Sequence, residues 1–499
     1  MRVCELEPKA VFHFFEEISQ IPRPSYHEKQ ISDYLAEFAK KRGLFFVQDE
    51  IYNIIIVKEA SEGYENQPAI ILQGHMDMVC EKEAGCEKNM ELEGLDLQTD
   101  GKHVRAKGTT LGGDDGIALA YALAILDADD IPHPRLEFVC TVCEEVGMDG
   151  AAALDVSSLR GKRLLNLDSE EEGIFLAGCA GGCTADIRMT VKDEMMWGLT
   201  MDLEISGLLG GHSGTEIDKH RANANMLMLE WLGRIYDIHP FACVKMEGGS
   251  KDNAIPRSCI CRIAVPESTS DMEYFWAAAQ KIAEEIEADW KQAEPGICLK
   301  VQGCENKEIA DARELFLEHS CLGIEQTGTL LKKISVFPNG VISMCQEPAG
   351  LVETSLNLGI LRIREEEIQM RYSVRSCVDQ QLEFLIGQLG GLTKRIGAVM
   401  EISGKYPAWE YRKHSAFRDG LVCVYQDMFK KTPQIEVIHA GVECGILATK
   451  IPGLECVSMG PDIFDIHTPA ERMDVASVRR TYEFIKEVLR QKDSGKECV

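Results

Sequence analysis

The chain is 499 residues long, 45% hydrophobic and 27% charged, with a formal net charge of −28. That length accommodates two or three domains with real cores, and the composition is ordinary for a globular protein. The acidic balance speaks against nucleic acid and anionic membrane as partners, since both are recognised by basic patches. No apolar run approaches the roughly 20 residues needed to span a bilayer. The opening Met-Arg-Val-Cys-Glu-Leu-Glu-Pro lacks an apolar h-region, so no signal peptide is expected. The 19 cysteines are then expected as reduced thiols in the cytoplasm.

In chain order, the first informative element is the apolar, β-branched run Ala69–Leu72, followed by Gln-Gly-His75-Met-Asp77. Asp77 is two residues from His75, on the same side of an extended segment, and is placed to orient its imidazole. Next, Leu111-Gly-Gly-Asp114-Asp115-Gly116 is a turn that opens an apolar helix, Ile117–Leu126. The strand Leu136–Val142 runs into Glu144-Glu145-Val-Gly147. Adjacent strand residues point to opposite faces, so both glutamates reach one site only if the chain leaves the strand, and Gly147 permits the turn. One glutamate is then available to bind metal and the other to act as general base. Cys140-Thr-Val-Cys143 is a CxxC by spelling alone, and these cysteines read as small buried hydrophobes. The run Leu164–Leu167 stops at Asp168, and Leu454–Met459 leads through Gly460-Pro461 to His467.

Each segment alone is unremarkable: His-x-Asp is usually an ordinary pair, Glu-Glu a solvated face, Asp-Asp-Gly a turn. Together they bring imidazoles and carboxylates to the ends of strands, where open α/β sheets bind ligands. The combination reads as a two-metal hydrolase site. Imidazole and carboxylate without thiolate suit zinc, and also manganese or cobalt. A carboxylate bridging two ions about 3.5–4 Å apart is the usual plan.

Four of these segments lie before residue 169 and the last contains His467. A catalytic domain split by an insertion accounts for the gap: residues 1–182, then an inserted 183–397, then 398–499. Gly178-Cys-Ala-Gly-Gly182 is the expected crossing point; no Lys-Ser/Thr follows to make it a phosphate loop. The insertion alternates strands such as Met201–Ile205 and Leu356–Ile363 with helices such as Asp271–Ala288, an α+β pattern. The chain is expected to return to the catalytic sheet near Val399 and to fray after Gln491.

Gly74-His-Met-Asp-Met78, Leu111-Gly-Gly-Asp-Asp-Gly116, Glu144-Glu-Val-Gly147 and Asn166-Leu-Asp-Ser-Glu170 resemble the catalytic motifs of the co-catalytic zinc exopeptidases. Gly210-Gly-His-Ser-Gly214, Asp252-Asn-Ala-Ile-Pro-Arg257 and His439-Ala-Gly-Val-Glu-Cys-Gly445 resemble lid and pocket motifs of one subgroup, the aminoacyl-histidine (Xaa-His, carnosinase-like) dipeptidases. The resemblance covers essentially the whole chain. It implies an α/β, phosphorylase/hydrolase-like catalytic domain with a mixed sheet between helices, interrupted by an α+β lid that also dimerises.

The resemblance also implies two Zn2+ per subunit, with Co2+ or Mn2+ as substitutes. His75 and Asp168 would bind one, Glu145 and His467 the other, and Asp114 would bridge. Glu144 would be the general base and Asp77 the orienter of His75. The peptide bond between Asp114 and Asp115 would be cis, and many relatives carry Asn where this chain has Asp115. His212 would donate to the oxyanion from the neighbouring subunit of a homodimer. Asn253 and Arg375 would bind substrate, and Gly441 would wall the pocket for its C-terminal residue. A guanidinium suits a terminal carboxylate because the fork binds it bidentately. The implied activity is hydrolysis of Xaa-His and related short unblocked dipeptides. The alternatives on the same site are an N-acyl-amino-acid deacylase, a tripeptidase, or an inactive binding homologue.

Overall fold

The computed structural model describes residues 2–266, 272–302, 317–346, 349–364 and 366–492. They form two compact units. One comprises the chain up to Cys179, Trp409–Val437 and the chain from Val442; the other comprises Ala180–Ala408 and Ile438–Gly441.

An eight-stranded mixed sheet organises the first unit. Its four central strands, Leu136–Thr141, Ile70–His75, Arg163–Asn166 and Glu455–Ser458, are mutually parallel. Their carboxyl ends therefore share one edge. Ile70–His75 and Leu136–Thr141 are buried throughout, as expected where helices cover both faces of parallel strands. Phe45–Gln48 and Ile54–Lys58 extend the sheet antiparallel on one side. On the other, Ile174–Cys179 runs antiparallel to Glu455–Ser458.

The apolar helix spans Gly113–Asp127, and every residue from Gly113 to Leu126 is buried. A helix that is apolar on all sides belongs inside a core. It packs against Ile70–His75 and under the helix Lys9–Ile18. Gly74 permits that approach: a Cβ there would stand 2.4 Å from Asp115 Oδ2 and 2.5 Å from Ala118 Cβ. A small sheet of Ile463–Phe464, Arg472–Asp474, His103–Ala106 and Leu97–Thr99 flanks the loop that carries His467. Cys140 and Cys143 are buried free thiols, matching their reading as small hydrophobes.

The second unit is α+β. It holds a ten-stranded sheet in which the paired strands run antiparallel. Helices Ala224–Ile238, Met272–Trp290, Ile324–Ile334 and Asp379–Ile396 accompany it, with a separate core containing Trp231, Phe241, Phe275 and Tyr372. The strands expected at Met201–Ile205 and Leu356–Ile363 lie toward the carboxyl ends of Asp193–Ser206 and Val352–Arg364. Asp271, the expected start of one helix, and residues 493–499, expected to fray, lie outside the described residues.

One expectation is corrected. Val399–Tyr406 pairs with Gly181–Thr190 in the second unit and does not complete the catalytic sheet. The chain leaves the first unit after Cys179, inside the expected Gly178–Gly182 crossing, and rejoins it at Trp409, so the return at 398 does not stand. The alternation of Val399–Tyr406 marks a half-exposed strand, but a period of two does not say which sheet it joins. Ile438–Gly441 also belongs to the second unit, a short excursion that pattern alone does not reveal. Among the described residues, no helix is long and apolar enough to cross a membrane.

Candidate metal and catalytic site

The parallel strands deliver their polar residues to one edge of the first unit. His75 ends the strand Ile70–His75, Glu144 and Glu145 follow Leu136–Thr141, and Asp168 follows Arg163–Asn166. Asp114 lies in the first turn of Gly113–Asp127, and the Asp114–Asp115 peptide is cis. His467 sits in its loop at a positive φ of 60°.

Asp114 is the centre of the cluster. Its Oδ1 is 3.1 Å from His75 Nε2 and its Oδ2 is 3.0 Å from His467 Nε2. Each imidazole meets a second carboxylate: His75 Nε2 is 3.5 Å from Asp168 Oδ1, and His467 Nε2 is 3.1 Å from Glu145 Oε2. Ligand atoms of His75, Asp114 and Glu145 all lie within 4.8 Å of one another, as do those of His75, Asp115 and Asp168. Glu145 Oε1 is buried without a hydrogen-bond partner among the described residues. Two imidazoles and several carboxylates, with no thiolate, make a donor set that fits two divalent cations.

The electrostatics say the same. Hydrogen bonds donated to Asp114 and then Glu145 push the His467 pKa up to about 11. Burial opposes a charge on His75, yet Asp168 and Asp114 raise it well above the imidazole range. Burial raises Asp168 to about 6 and lifts Glu144 well above the carboxylate range. The cluster thus holds more negative charge than its dry surroundings tolerate, and positive charge among these ligands relieves it.

Asp115 braces the end of the strand that carries His75. Its Oδ2 accepts the His75 backbone N–H at 3.1 Å. Burial, then Asp168, raises its pKa well above the carboxylate range.

Asp77 is fully buried, with Oδ1 3.3 Å from His75 Nδ1. It also accepts the backbone N–H of Glu144 at 3.1 Å and of Glu145 at 3.3 Å, and the Ser25 hydroxyl at 2.8 Å. One carboxylate therefore faces the imidazole and holds the turn carrying both glutamates.

Sequence reasoning missed two further supports. Glu471 accepts the N–H groups of Leu111, Gly112 and Gly113 at 2.7, 3.1 and 2.8 Å, which fixes the approach to Asp114. Arg23 is 1% exposed and donates to the carbonyls of Met76, Asp77 and Gly112. Neither stands next to a motif whose spacing would expose it; only burial distinguishes them from surface charges.

In the second unit, His212 lies on a two-residue strand, Gly211–His212, paired with Ala254–Ile255. Its Nδ1 accepts the backbone N–H of Gly214 at 3.3 Å and of Thr215 at 3.2 Å. The ring proton therefore belongs on Nε2. Burial, then the Arg375 guanidinium, pushes His212 down to about 4, so the ring is neutral near pH 7. Arg375 is 8% exposed and donates to the Tyr406 hydroxyl at 2.9 Å. Asn253 is exposed, and its carbonyl accepts the Ser213 N–H at 2.9 Å. Gly441 lies two residues beyond the buried His439, in the segment grouped with this unit. The second unit thus places His212 on a strand paired with Ala254–Ile255, which Asn253 immediately precedes; for Gly441 only its place in the loop is fixed.

The model of peptidase family M20/M25/M40 matches residues 71–491. The chain is 34% identical to the cytosol non-specific dipeptidase of Escherichia coli over 491 residues, covering 98% of this chain and 99% of that protein. The solved structure of an aminoacylhistidine dipeptidase from Vibrio alginolyticus superposes with a TM-score of 0.86 at 31% identity, covering 100% of this chain and 99% of that one. An aminopeptidase PepT from Bacillus cereus shares the fold at a TM-score of 0.55 and 15% identity, covering 97% of this chain and 98% of its own. With every candidate ligand inside the matched span and near-complete coverage of a relative above 30% identity, this chain belongs to peptidase family M20/M25/M40 and is a metallopeptidase.

Proposed function

We propose that the chain hydrolyses short unblocked dipeptides, Xaa-His among them, using two divalent cations. One observation carries the reading: the two oxygens of Asp114 each face a different imidazole, and each imidazole meets a second carboxylate. That is the donor pattern of two cations sharing one bridge. The relatives named as dipeptidases support the substrate class. Zinc is the first choice of metal, with Co2+ or Mn2+ as substitutes.

In this reading His75 and Asp168 hold one cation, Glu145 and His467 the other, and Asp114 lies between. The cations, when bound, supply Lewis acidity toward the scissile carbonyl and make water easier to deprotonate. Glu144, on the turn clamped by Asp77, accepts the proton of the attacking water and returns it to the leaving amine. His212, with its proton on Nε2, donates to the oxyanion from the partner copy of a homodimer formed through the second unit. Arg375, Asn253 and Gly441 bind the C-terminal residue of the dipeptide. The name of the Escherichia coli relative supports a cytoplasmic setting.

The test is a panel of β-alanyl-histidine, glycyl-histidine, tripeptides and N-acetyl amino acids, with added zinc and with a chelator. Metal-dependent cleavage of the dipeptides alone is expected. Cleavage confined to N-acetyl amino acids would overturn the dipeptidase reading and leave the two-metal site standing.

A further inference from the structure

Glu443 lies in the His439–Gly445 loop and has no part in the chemistry above. It is fully buried. Its Oε2 accepts the Gln73 amide at 2.5 Å and the Thr141 hydroxyl at 2.7 Å. Gln73 Oε1 in turn accepts the Asn166 amide at 2.5 Å. These three residues lie at or near the carboxyl ends of the strands that lead to the candidate ligands. Gln73 precedes His75 by two positions, Thr141 precedes Glu144 by three, and Asn166 precedes Asp168 by two. The Asn166 carbonyl oxygen Oδ1 accepts the Asp168 backbone N–H at 3.4 Å. Glu443 Oε1 is buried without a hydrogen-bond partner among the described residues.

A buried polar network of this kind rigidifies what it joins. Groups that orient metal ligands from behind typically change metal affinity 10–100-fold when removed. We propose that Glu443 is a positioning residue for the metal centre: it ties Gln73, Thr141 and, through Gln73, Asn166, and so holds the strand ends bearing His75, Glu144, Glu145 and Asp168 in one register. The inference rests on the two-cation reading above. Burial raises Glu443 to about 8, so the side chain near neutral pH is largely the uncharged acid. A glutamine reproduces that shape, with one accepting oxygen and one donating group.

The experiment compares Glu443→Leu and Glu443→Gln with the wild type. Zinc affinity is read by competition with a chromophoric chelator, and kcat and KM on a dipeptide are read separately. Glu443→Leu is expected to weaken zinc binding about 10–100-fold, to lower kcat and to leave KM nearly unchanged. Glu443→Gln is expected to restore both affinity and kcat. Unchanged zinc affinity in a folded Glu443→Leu protein, or equal damage in the Gln variant, would overturn the proposal. If Glu443→Leu does not fold, Thr141→Val removes one donor with little change of volume. A folded Thr141→Val protein must then bind zinc more weakly than wild type, or the proposal fails. Zinc affinity is measured without substrate, so a wild-type chain that binds zinc but cleaves no dipeptide defeats only the substrate reading.

Discussion

Asp77 meets the ring of His75 at 3.3 Å while accepting the backbone N–H of Glu144 at 3.1 Å. One carboxylate thus serves a proposed ligand and the proposed base. Asp77→Ala is expected to weaken zinc binding about 10–100-fold and also to lower kcat in zinc-saturated protein, because the turn carrying Glu144 loses its anchor. If Asp77→Ala loses affinity yet regains full kcat at saturating zinc, the hydrogen bond to the turn has no catalytic consequence.

Glu144 and Glu145 are neighbours with separate environments. Glu145 Oε2 lies 3.1 Å from His467 Nε2, whereas Glu144 has no ion pair in the cluster among the described residues. Glu144→Gln should therefore keep zinc affinity within a few-fold and lose about 10²–10⁴ in kcat, the usual contribution of general-base catalysis. Metal analysis beside steady-state kinetics checks it. A variant that loses metal in parallel with turnover assigns Glu144 to the ligands instead.

Much of this candidate site is legible in the sequence because His75, Glu144, Glu145 and Asp168 end or follow apolar runs in parallel strands. Runs such as Ile70–Leu72 and Leu136–Val139 are buried on both faces, so a polar residue at their carboxyl end stands out. The supports are less legible. Glu443 and Glu471 are single acids in loops, and their burial depends on partners 302 and 360 positions away, Thr141 and Leu111. Sequence spacing does not encode such contacts. The same limit explains the misplaced return strand: the alternation of Val399–Tyr406 predicts its exposure but not its partner, Gly181–Thr190.

His212 is expected to act as a neutral Nε2–H donor. The backbone N–H groups of Gly214 and Thr215 occupy Nδ1, and the ring titrates only at about 4. His212→Phe should lower kcat about 10²–10³, the loss typical of one oxyanion donor, with little change in KM. His212→Gln keeps a donor of similar reach and should recover part of the loss. Nitrogen chemical shifts of labelled histidine should show the Nε2–H tautomer from pH 8 down to 5. A proton on Nδ1 in that range would contradict the hydrogen bonding of the loop.

His439 makes stability fall in acid for a reason separate from the metal ligands. Its ring is 8% exposed, with Nε2 2.8 Å from the Ser355 hydroxyl and Nδ1 3.7 Å from the Cys377 thiol. Neither neighbour supplies a negative charge, and the Arg375 guanidinium disfavours a second positive one. Burial, then Arg375, pushes its pKa down to about 3. The unfolded chain takes up a proton near pH 6.5, while the folded chain does not until about 3. The contribution of His439 is therefore complete above pH 6.5 and is lost progressively as pH falls from 6.5 toward 3, by up to about 1.4 kcal/mol per pH unit. Melting temperatures recorded in chelator from pH 7.5 to 4.5 exclude the effect of metal release. Over that range His439→Gln is expected to show a shallower fall than wild type, whatever its absolute stability. Parallel curves for the two proteins would mean that the ring is not held neutral in the folded state.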